Sequence, residues 1–351
     1  MAMPMPLTLP IETGAVVIGA GPVGLFQVFQ LGLLEVPVHI IDVLPHAGGQ
    51  CMELYPDKPI YDIPGTPATS GRALAASLLQ QIQPFSPEFH LGQQVSHIEK
   101  QPDGRFLVQT DQGTQFLAPV VIIAAGVGAF QPRRLKLDGI EAFEGSQLRY
   151  HTAPADVSGL DAVVVGGDEV ALHCALALAD TDAKSVTLLH RRDVLQAPMA
   201  DIAEMQMLVA AGRMRFVVGQ ITGFGAVDGR LASLEVSDVD ATLHSLPVDA
   251  LSVFLGLSPK LGPLADWGLA IERKQLQVDT ARFETSVPGI FAVGDINTYP
   301  GKQKLIVCGF HEATLAAYAA APLVFPGKKI PFQYTTTSPR LHQLLGVGTP
   351  A

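Results

Sequence analysis

The sequence predicts an α/β fold with two domains, and three observations carry this prediction. A strand, a glycine-rich turn and a helix follow one another near residue 20, and the same order recurs near residue 165. Short alternating strands separated by turn signals follow the first unit. A repeated strand-turn-helix unit is typical of a doubly wound parallel sheet. The expected architecture is two Rossmann-like dinucleotide-binding domains of the three-layer ββα type, the second inserted into the first.

The first unit begins with a short apolar strand over residues 16–18 and enters a helix near Pro22. Between them, Gly19 permits a tight turn, and Gly21 lets the main chain approach a pyrophosphate with no Cβ in the way. Gly24 allows the helix and strand to pack closely. A helix N-terminus adds free N–H groups and a partial positive charge. The unit predicts a phosphate site, the alternative being a glycine-rich turn without a ligand.

The next apolar strand, residues 38–41, ends at Asp42. A carboxylate about 20 residues after the glycines can accept hydrogen bonds from the ribose hydroxyls of an adenosine. The ordered set of strand, glycines, helix, strand and acid therefore indicates dinucleotide binding by the first domain, residues 1–130 and 257–351.

Composition excludes several other classes of protein. The 351 residues are 48% hydrophobic, with a formal net charge of −10. Nonspecific nucleic-acid binding needs a basic surface, so none is expected. No apolar run approaches the roughly 20 residues of a membrane span, and the amino terminus lacks a secretory pattern. A cytoplasmic protein is expected. Three scattered cysteines suggest neither disulfides nor a metal site; they are Cys51, Cys174 and Cys308.

Residues 45–65 are rich in glycine and proline and predict a long irregular loop of the kind that binds ligands. Gln50 offers an amide to the edge of a heterocycle, and Tyr55 offers a ring face for stacking. The alternative is a surface loop with a packed tyrosine. Beyond it we expect a helix over residues 71–83 capped by Ser70, then a β-meander and a buried strand, residues 95–98, 106–109, 115–118 and 120–126.

The second unit occupies residues 162–171, with Gly166 and Gly167 in its turn. Its second strand, residues 186–189, leads to Arg191 and Arg192 where an NAD site would place an acid. Two guanidinium groups match a 2′-phosphate in charge and geometry, so the pair favours NADPH over NADH. The alternative is a solvated arginine pair. Residues 131–256 are the predicted NADPH domain.

The chain then returns to the first sheet. A strand over residues 290–295 ends in Asp295, whose carboxylate can bind hydroxyl groups of a flavin lying across the sheet edge. A helix over residues 305–321 should follow.

Taken together, four motifs resemble the ferredoxin–NADP reductases of the thioredoxin-reductase-like type, a family of flavoproteins with two dinucleotide-binding domains. The motifs are G-G-Q-C with L-Y-P-D-K, H-R-R-D, G-D-I-N-T-Y-P-G-K-Q-K-L and T-T-S-P. The resemblance covers nearly the whole chain and implies that the first domain binds FAD. The FAD positions it implies are Asp42, Gln50, Tyr55, Val95, Phe130, Asp295 and Thr336.

The resemblance also implies a homodimer, in which the tail at residues 332–339 covers the flavin of the partner chain. Tyr334 stands where these reductases often have a histidine that stacks on the flavin. The redox C-x-x-C of thioredoxin reductases is replaced by residues 151–156, which contain no cysteine. In the second turn, Asp168 stands where the family has its second spaced glycine. We expect its carboxylate to crowd and repel a pyrophosphate there. The alternative is that the local backbone is rearranged and Asp168 turns outward to cap the following helix.

The implied function is transfer of electrons between NADPH and a one-electron carrier such as ferredoxin or flavodoxin, with the chemistry supplied by FAD. No catalytic side chain of the protein is expected, and His173 is interpreted as a packed or surface histidine. An acidic carrier prefers a basic docking patch, and the candidates are Arg133, Arg134, Lys136, Lys302 and Lys304. Two alternatives stay open: an FAD-dependent oxidase or dehydrogenase with a degenerate NADPH site, and a flavin redox protein without turnover.

Overall fold

The computed structural model describes residues 9–330 and 334–347. The chain divides into two compact units, residues 1–129 with 260–351 and residues 130–259. Each unit contains a five-stranded parallel sheet. Which nucleotide each unit binds stays a prediction of the sequence.

A parallel sheet forms the middle layer of the first unit. Its strands are, in spatial order, Ile290–Ala292, Val120–Ile123, Ala15–Ile18, Val38–Asp42 and Glu88–Leu91. The strands are mostly branched apolar residues because both faces of a parallel sheet are covered. Alternate residues therefore enter two different cores: Val17 faces the helices and Val16 faces the β-meander.

Helices and a second sheet form the outer layers of this unit. The long helices are Pro22–Leu33, Gly71–Ile82 and Ile306–Val324. Ser70 caps the second of these helices, since its hydroxyl accepts a hydrogen bond from Ala73 N at 3.1 Å, as expected from the sequence. The opposite layer is the meander Val95–Lys100, Phe106–Thr110 and Gln115–Ala118, joined by Ile11–Glu12. The three-layer ββα prediction is correct for this unit.

The helix Ile306–Val324 is long and apolar enough to cross a membrane by length and composition, which the apolar runs of the sequence did not suggest. It packs along Pro22–Leu33 through small side chains, among them Ala316 and Ala320, which are fully buried in the helix-side core. A buried carboxylate, Glu312, lies on the same helix. These contacts are those of a core helix.

The second unit repeats the three layers. Its parallel sheet is, in spatial order, Leu148–Tyr150, Ala250–Phe254, Asp161–Gly166, Ser185–His190 and Arg215–Val218. One face carries the helices Glu169–Ala179 and Met199–Ala210. The other face carries an antiparallel sheet of Gln220–Val227, Arg230–Ser237 and Leu243–Pro247.

Short elements complete the chain. A helix, Gln50–Leu54, interrupts the loop that the sequence predicts to be irregular, and Pro339–Leu344 is a helix of the tail. The short strands are Pro59–Ile60, Thr69–Ser70, Ala129–Pro132, Leu257–Lys260, Ile271–Glu272, Gln275–Gln277 and Asn297–Thr298. Turns of 3₁₀ helix are Gln83–Phe85, Ile140–Phe143, Gly262–Asp266, Gly294–Ile296 and Thr335–Thr337.

Candidate functional site

The first glycine turn owes its shape to Gly19 and Gly24. Gly19 has φ +110°, a conformation that side chains disfavour, and a Cβ there would lie 2.4 Å from Ala124 O. A Cβ on Gly24 would lie 1.9 Å from Gly19 O. Only glycine fits at these two positions, so the strand and helix come as close as the sequence predicts.

Gly21 differs from the other two glycines because a Cβ there would meet only Gly49 Cα, at 3.9 Å. The space above Gly21 is therefore open. The helix that starts at Pro22 receives no capping hydrogen bond from any side chain of the described residues. Free N–H groups beside open space are what a pyrophosphate requires.

Asp42 lies at the end of the adjacent strand and its side chain is buried. Oδ2 accepts a hydrogen bond from Ala20 N at 2.6 Å, and Oδ1 accepts one from Leu44 N at 2.8 Å. Burial raises the pKa of this carboxyl group, while the two backbone hydrogen bonds oppose the shift. Each oxygen keeps a further lone pair for a ribose hydroxyl.

The predicted loop residues lie near the same turn. Gln50 is the first residue of its short helix, and its Nε2 would lie 2.9 Å from a Cβ placed on Gly126. Tyr55 is half-buried, and its hydroxyl accepts a weak hydrogen bond from Cys51 Sγ at 3.7 Å. Burial is the main reason that the pKa of Tyr55 is raised. Neither side chain is a plain surface group.

Asp295 lies in the turn Gly294–Ile296, at the end of a sheet strand as predicted. Burial raises its pKa, and the positive charges of Lys302 and Lys304 oppose the shift. Among the described residues, no donor forms a hydrogen bond with its carboxylate. A half-buried carboxylate in this state is ready to accept hydrogen bonds from a ligand.

Within the described part of the chain, the other residues predicted to contact FAD show no side-chain geometry that indicates a ligand. Val95 is buried in the meander-side core, so a ligand would meet its backbone. The side chain of Phe130 lies outside the described residues, as do residues 332 and 333 of the tail. Tyr334 is 68% exposed, and Thr336 lies in the turn Thr335–Thr337. In the tail helix, Leu341 is buried, and Arg340 Nε lies 3.8 Å from Glu35 Oε1 of the first unit.

The second glycine turn is packed more tightly than the first. A Cβ on Gly166 would lie 2.7 Å from Phe254 O, and one on Gly167 would lie 2.3 Å from the ring of His190. Burial and the neighbouring arginine charges lower the pKa of His190. A neutral imidazole therefore lies under this turn near neutral pH.

Asp168 caps the helix of the second unit. Its Oδ1 accepts a hydrogen bond from Ala171 N at 2.9 Å, and its φ and ψ are −97° and 173°. This geometry is that of the alternative stated from the sequence, an aspartate that caps the following helix, and aspartate is among the best N-cap residues. The same bond occupies an N–H that a phosphate would otherwise use.

Arg191 and Arg192 follow the strand Ser185–His190 directly and are both exposed. Neither forms an ion pair with another residue in the described part of the chain. Beside them the segment 193–195, the helix Met199–Ala210 and Phe216 line an apolar cleft of about 570 Å³. The sequence did not predict this cleft, because its walls come from three separate segments.

The structure changes the expectation for Lys302 and makes the one for His173 more specific. Lys302 is no docking residue: its side chain is 7% exposed and ion-paired with Glu312. His173 is exposed, in agreement with a surface histidine, and its Nε2 lies 2.8 Å from Asp201 Oδ2, with Glu169 nearby.

Two groups of side chains have ligand atoms close enough together to hold a metal ion. One is His173 with Glu169 and Asp201, and the other is His39 with Glu88 and His90. The two imidazoles already bond each other.

Comparison with known proteins agrees with this architecture. Residues 13–319 match the pyridine nucleotide-disulphide oxidoreductase family, and the chain belongs to that family. A relative from Polaromonas naphthalenivorans named ferredoxin–NADP reductase is 57% identical, over 97% of this chain and 94% of its own. One of the same name from Albidiferax ferrireducens is 58% identical, over 97% and 98%. The resemblance stated from the motifs is thus confirmed.

Solved structures show the same fold at low identity. A thioredoxin reductase from Lactococcus lactis is 23% identical, with a TM-score of 0.55 over 89% of this chain and 99% of that one. A bacillithiol disulfide reductase from Staphylococcus aureus is 15% identical, with a TM-score of 0.58 over 88% and 98%. The predicted fold class of two α/β dinucleotide-binding domains is confirmed.

Proposed function

We propose that the protein is an FAD-dependent oxidoreductase that passes electrons between NADPH and a one-electron carrier such as ferredoxin or flavodoxin. The observation that carries this proposal is two dinucleotide turns in one chain, of which only the second is followed by two exposed arginines without ion pairs among the described residues. The relatives at 57 and 58% identity carry the name of this activity.

The first turn and its surroundings fit FAD. The open space at Gly21 takes the pyrophosphate, Asp42 takes the adenosine ribose, and Asp295 takes hydroxyls of the ribityl chain. Gln50 and Tyr55 face the ring system, with contributions from Val95, Phe130 and Thr336. Bound FAD supplies the exchange between a two-electron donor and a one-electron acceptor. The protein binds, orients and shields it.

The second turn holds NADPH in this proposal. Gly166 and Gly167 shape the turn, and Arg191 and Arg192 bind the 2′-phosphate through charge-assisted hydrogen bonds. Because His190 is neutral, the positive charge available to the 2′-phosphate at this strand end is that of Arg191 and Arg192. In this proposal the specificity for NADPH comes from Arg191 and Arg192 at the end of a strand, where neither forms an ion pair with a described residue.

We further propose a cytoplasmic homodimer in which Tyr334 of one chain stacks on the flavin of the other. The high exposure of Tyr334 in the single chain supports this, because an aromatic side chain at that exposure gains stability when a partner covers it.

The electron carrier docks on exposed basic residues in this proposal. Arg133, Lys136 and Lys304 stay candidates, whereas the guanidinium group of Arg134 is already paired with Glu144.

A second function is favoured by one observation. Asp168 places a carboxylate and an occupied Ala171 N–H where NADPH would need donors. The protein would then be an FAD-dependent oxidase or dehydrogenase with a degenerate second site, or a flavin protein without turnover. Both alternatives share FAD with the first proposal and differ from it in that NADPH does not reduce the flavin.

Anaerobic stopped-flow mixing with NADPH separates the proposals. We expect purified protein to carry about one FAD per chain and to bleach rapidly with NADPH, more slowly with NADH. Colourless protein that takes up no FAD would refute the assignment of the first turn. Yellow protein that NADPH leaves oxidised would favour the two alternatives, and oxygen consumption across a panel of small organic substrates would then distinguish an oxidase from a flavin protein without turnover.

The arginine pair gives a sharper test of the second site. Changing Arg191 and Arg192 to alanine should raise KM for NADPH at least about tenfold and leave NADH nearly unaffected, since charge-assisted bonds to the 2′-phosphate are lost. Arg230→Ala, at an exposed arginine of the same unit, is the matched control and should change neither. An equal loss for both nucleotides would show a structural role for the pair.

A further inference from the structure

A buried carboxylate and a buried ammonium group lie directly behind the turn Gly294–Ile296. Glu312 has no exposed surface, although it lies on a helix whose other buried residues are small. Its Oε2 accepts hydrogen bonds from Gly294 N at 2.6 Å and Asn297 Nδ2 at 2.8 Å. Its Oε1 accepts bonds from Tyr299 OH at 2.9 Å and from Lys302 Nζ.

Lys302 completes a clamp on Gly294. Its Nζ also donates a hydrogen bond to Gly294 O at 2.9 Å, so the ion pair binds both the N–H and the carbonyl of one residue. Removing two charges from water is costly, and their attraction offsets this cost only when the geometry is good and their other polar atoms are hydrogen-bonded. Such a pair is a poor source of stability, which makes a positional role the better explanation.

Gln275 fixes the other side of the same turn. Its Nε2 donates hydrogen bonds to Asp295 O at 3.1 Å and Asn297 O at 2.7 Å. Gly294 has φ +80°, so the turn also depends on glycine there. Backbone groups on both flanks of Asp295 are thus held, whereas its own carboxylate accepts no hydrogen bond from the described residues.

We propose that Glu312 and Lys302 are positioning residues for FAD, whose ion pair locks the Gly294–Ile296 turn so that the Asp295 carboxylate faces the ribityl hydroxyls. The inference rests on the proposed binding of FAD at Asp295. A locked turn lowers the conformational cost of binding, because Asp295 needs no ordering when the ligand arrives.

The two charges act on Asp295 in opposite directions. The charges that act on its pKa are those of Lys302, Lys304 and Glu312. The Asp295 carboxylate in turn raises the pKa values of the Cys51 thiol and the Tyr55 hydroxyl nearby. Lys302 lowers the pKa of Asp295 and Glu312 raises it. Because Asp295 binds hydroxyls best as a carboxylate, acidification should weaken FAD binding as Asp295 takes up a proton. Loss of Lys302 should move the onset of that weakening to higher pH, and loss of Glu312 should move it to lower pH.

The test compares Glu312→Gln and Lys302→Gln in the full-length protein. The readouts are the Kd for FAD, measured by reconstituting the flavin-free protein, and the pH midpoint of binding, defined as the pH at which Kd has doubled from its value at high pH. We expect both variants to raise Kd at least about tenfold at pH 7.5, and their pH midpoints to move in opposite directions from wild type. Tyr299→Phe, which removes one neutral donor, should raise Kd about threefold and is the variant to use where the charge variants do not fold.

Glu284→Gln is the matched control, since Glu284 Oε1 also accepts a glycine N–H, Gly289 N at 2.9 Å, in the same unit. It should leave Kd and midpoint unchanged. Unchanged Kd in Glu312→Gln and Tyr299→Phe, or pH midpoints that move together, would overturn the positioning role while FAD binding by wild type upholds the proposed function. Wild-type protein that binds no FAD would overturn both.

Discussion

At the scale of the residue, Asp168 combines two effects that a single substitution can separate. Asp168→Ser keeps an N-cap oxygen for Ala171 N and removes the charge. We expect it to preserve stability within a few tenths of a kcal/mol and to tighten NADPH binding by at least about threefold, because a negative charge beside the phosphates is lost.

The comparison for that experiment is Asp168→Ala, which removes both the charge and the cap. It should lower the free energy of unfolding by about 1 kcal/mol, the usual cost of losing an N-cap side chain. Thermal unfolding and NADPH titration on the two variants give both quantities. Unchanged affinity in Asp168→Ser would mean that the carboxylate faces away from the nucleotide.

Residues differ in how far the sequence can place them. Gly19 and Gly24 were predictable because the close approach that each requires lies within one strand-turn-helix unit. Glu312 was not, since in an alanine-rich helix it looks like a solvent-facing residue, and its partners lie 10 to 18 positions away. Lys302 was misassigned to the surface for the same reason. The spacing of apolar residues in a sequence indicates which face of a helix is buried, but it does not indicate a buried ion pair on that face.

At the scale of the element, the edge of the first sheet contains a pair of histidines. His39 Nδ1 and His90 Nε2 are 2.9 Å apart on the neighbouring strands Val38–Asp42 and Glu88–Leu91, and Phe116 packs against both rings. Burial is the main reason that the pKa of each imidazole is lowered, and Glu88 opposes the shift. The folded protein therefore favours two neutral rings.

A pH dependence of stability follows from this pair. Below pH about 6.5 the unfolded chain protonates both histidines, while the folded chain resists until its lowered pKa values are passed. The stability contributed by the neutral pair is thus present above pH 6.5 and is lost as pH falls through the folded pKa values. We expect the double variant His39→Phe with His90→Phe to show a flatter fall of Tm between pH 7 and 5.

The matched control is His97→Gln, at an exposed histidine of the same unit. Its profile should follow wild type. Parallel Tm profiles for wild type and the double variant would show that the pair carries no linked protons.

Helices and strands were predicted well where their own apolar periodicity and turn residues are enough to define them. The helix Gly71–Ile82 and the meander strands have apolar periodicity and turn residues of their own. The helix Gln50–Leu54 was missed because five residues after two glycines carry too little periodicity to register. The strand Ile11–Glu12 was missed as well, since it pairs with Gln115–Ala118, a segment about 100 positions away.

At the scale of the whole molecule, the proposed dimer makes the flavin site depend on two chains. The tail helix Pro339–Leu344 is anchored to the first unit by Arg340, whose Nε lies 3.8 Å from Glu35 Oε1, and its Leu341 is buried. That anchor leaves Tyr334, at the start of the described tail, strongly exposed. An anchored tail with an exposed aromatic ring is suited to reach a neighbouring copy.

Mixed dimers test whether Tyr334 acts on the partner's flavin. One chain carries Tyr334→Ala and binds FAD; the other carries Gly21→Trp, which should exclude FAD by filling the open space at the turn, and keeps Tyr334. Stacking quenches flavin fluorescence, so a dimer of Tyr334→Ala chains should be brighter than wild type. If the ring acts across the dimer, mixing in the second chain should restore quenching to nearly the wild-type value per FAD. If the ring acts within its own chain, every FAD in the mixture stays unquenched, and the proposed exchange of tails is wrong.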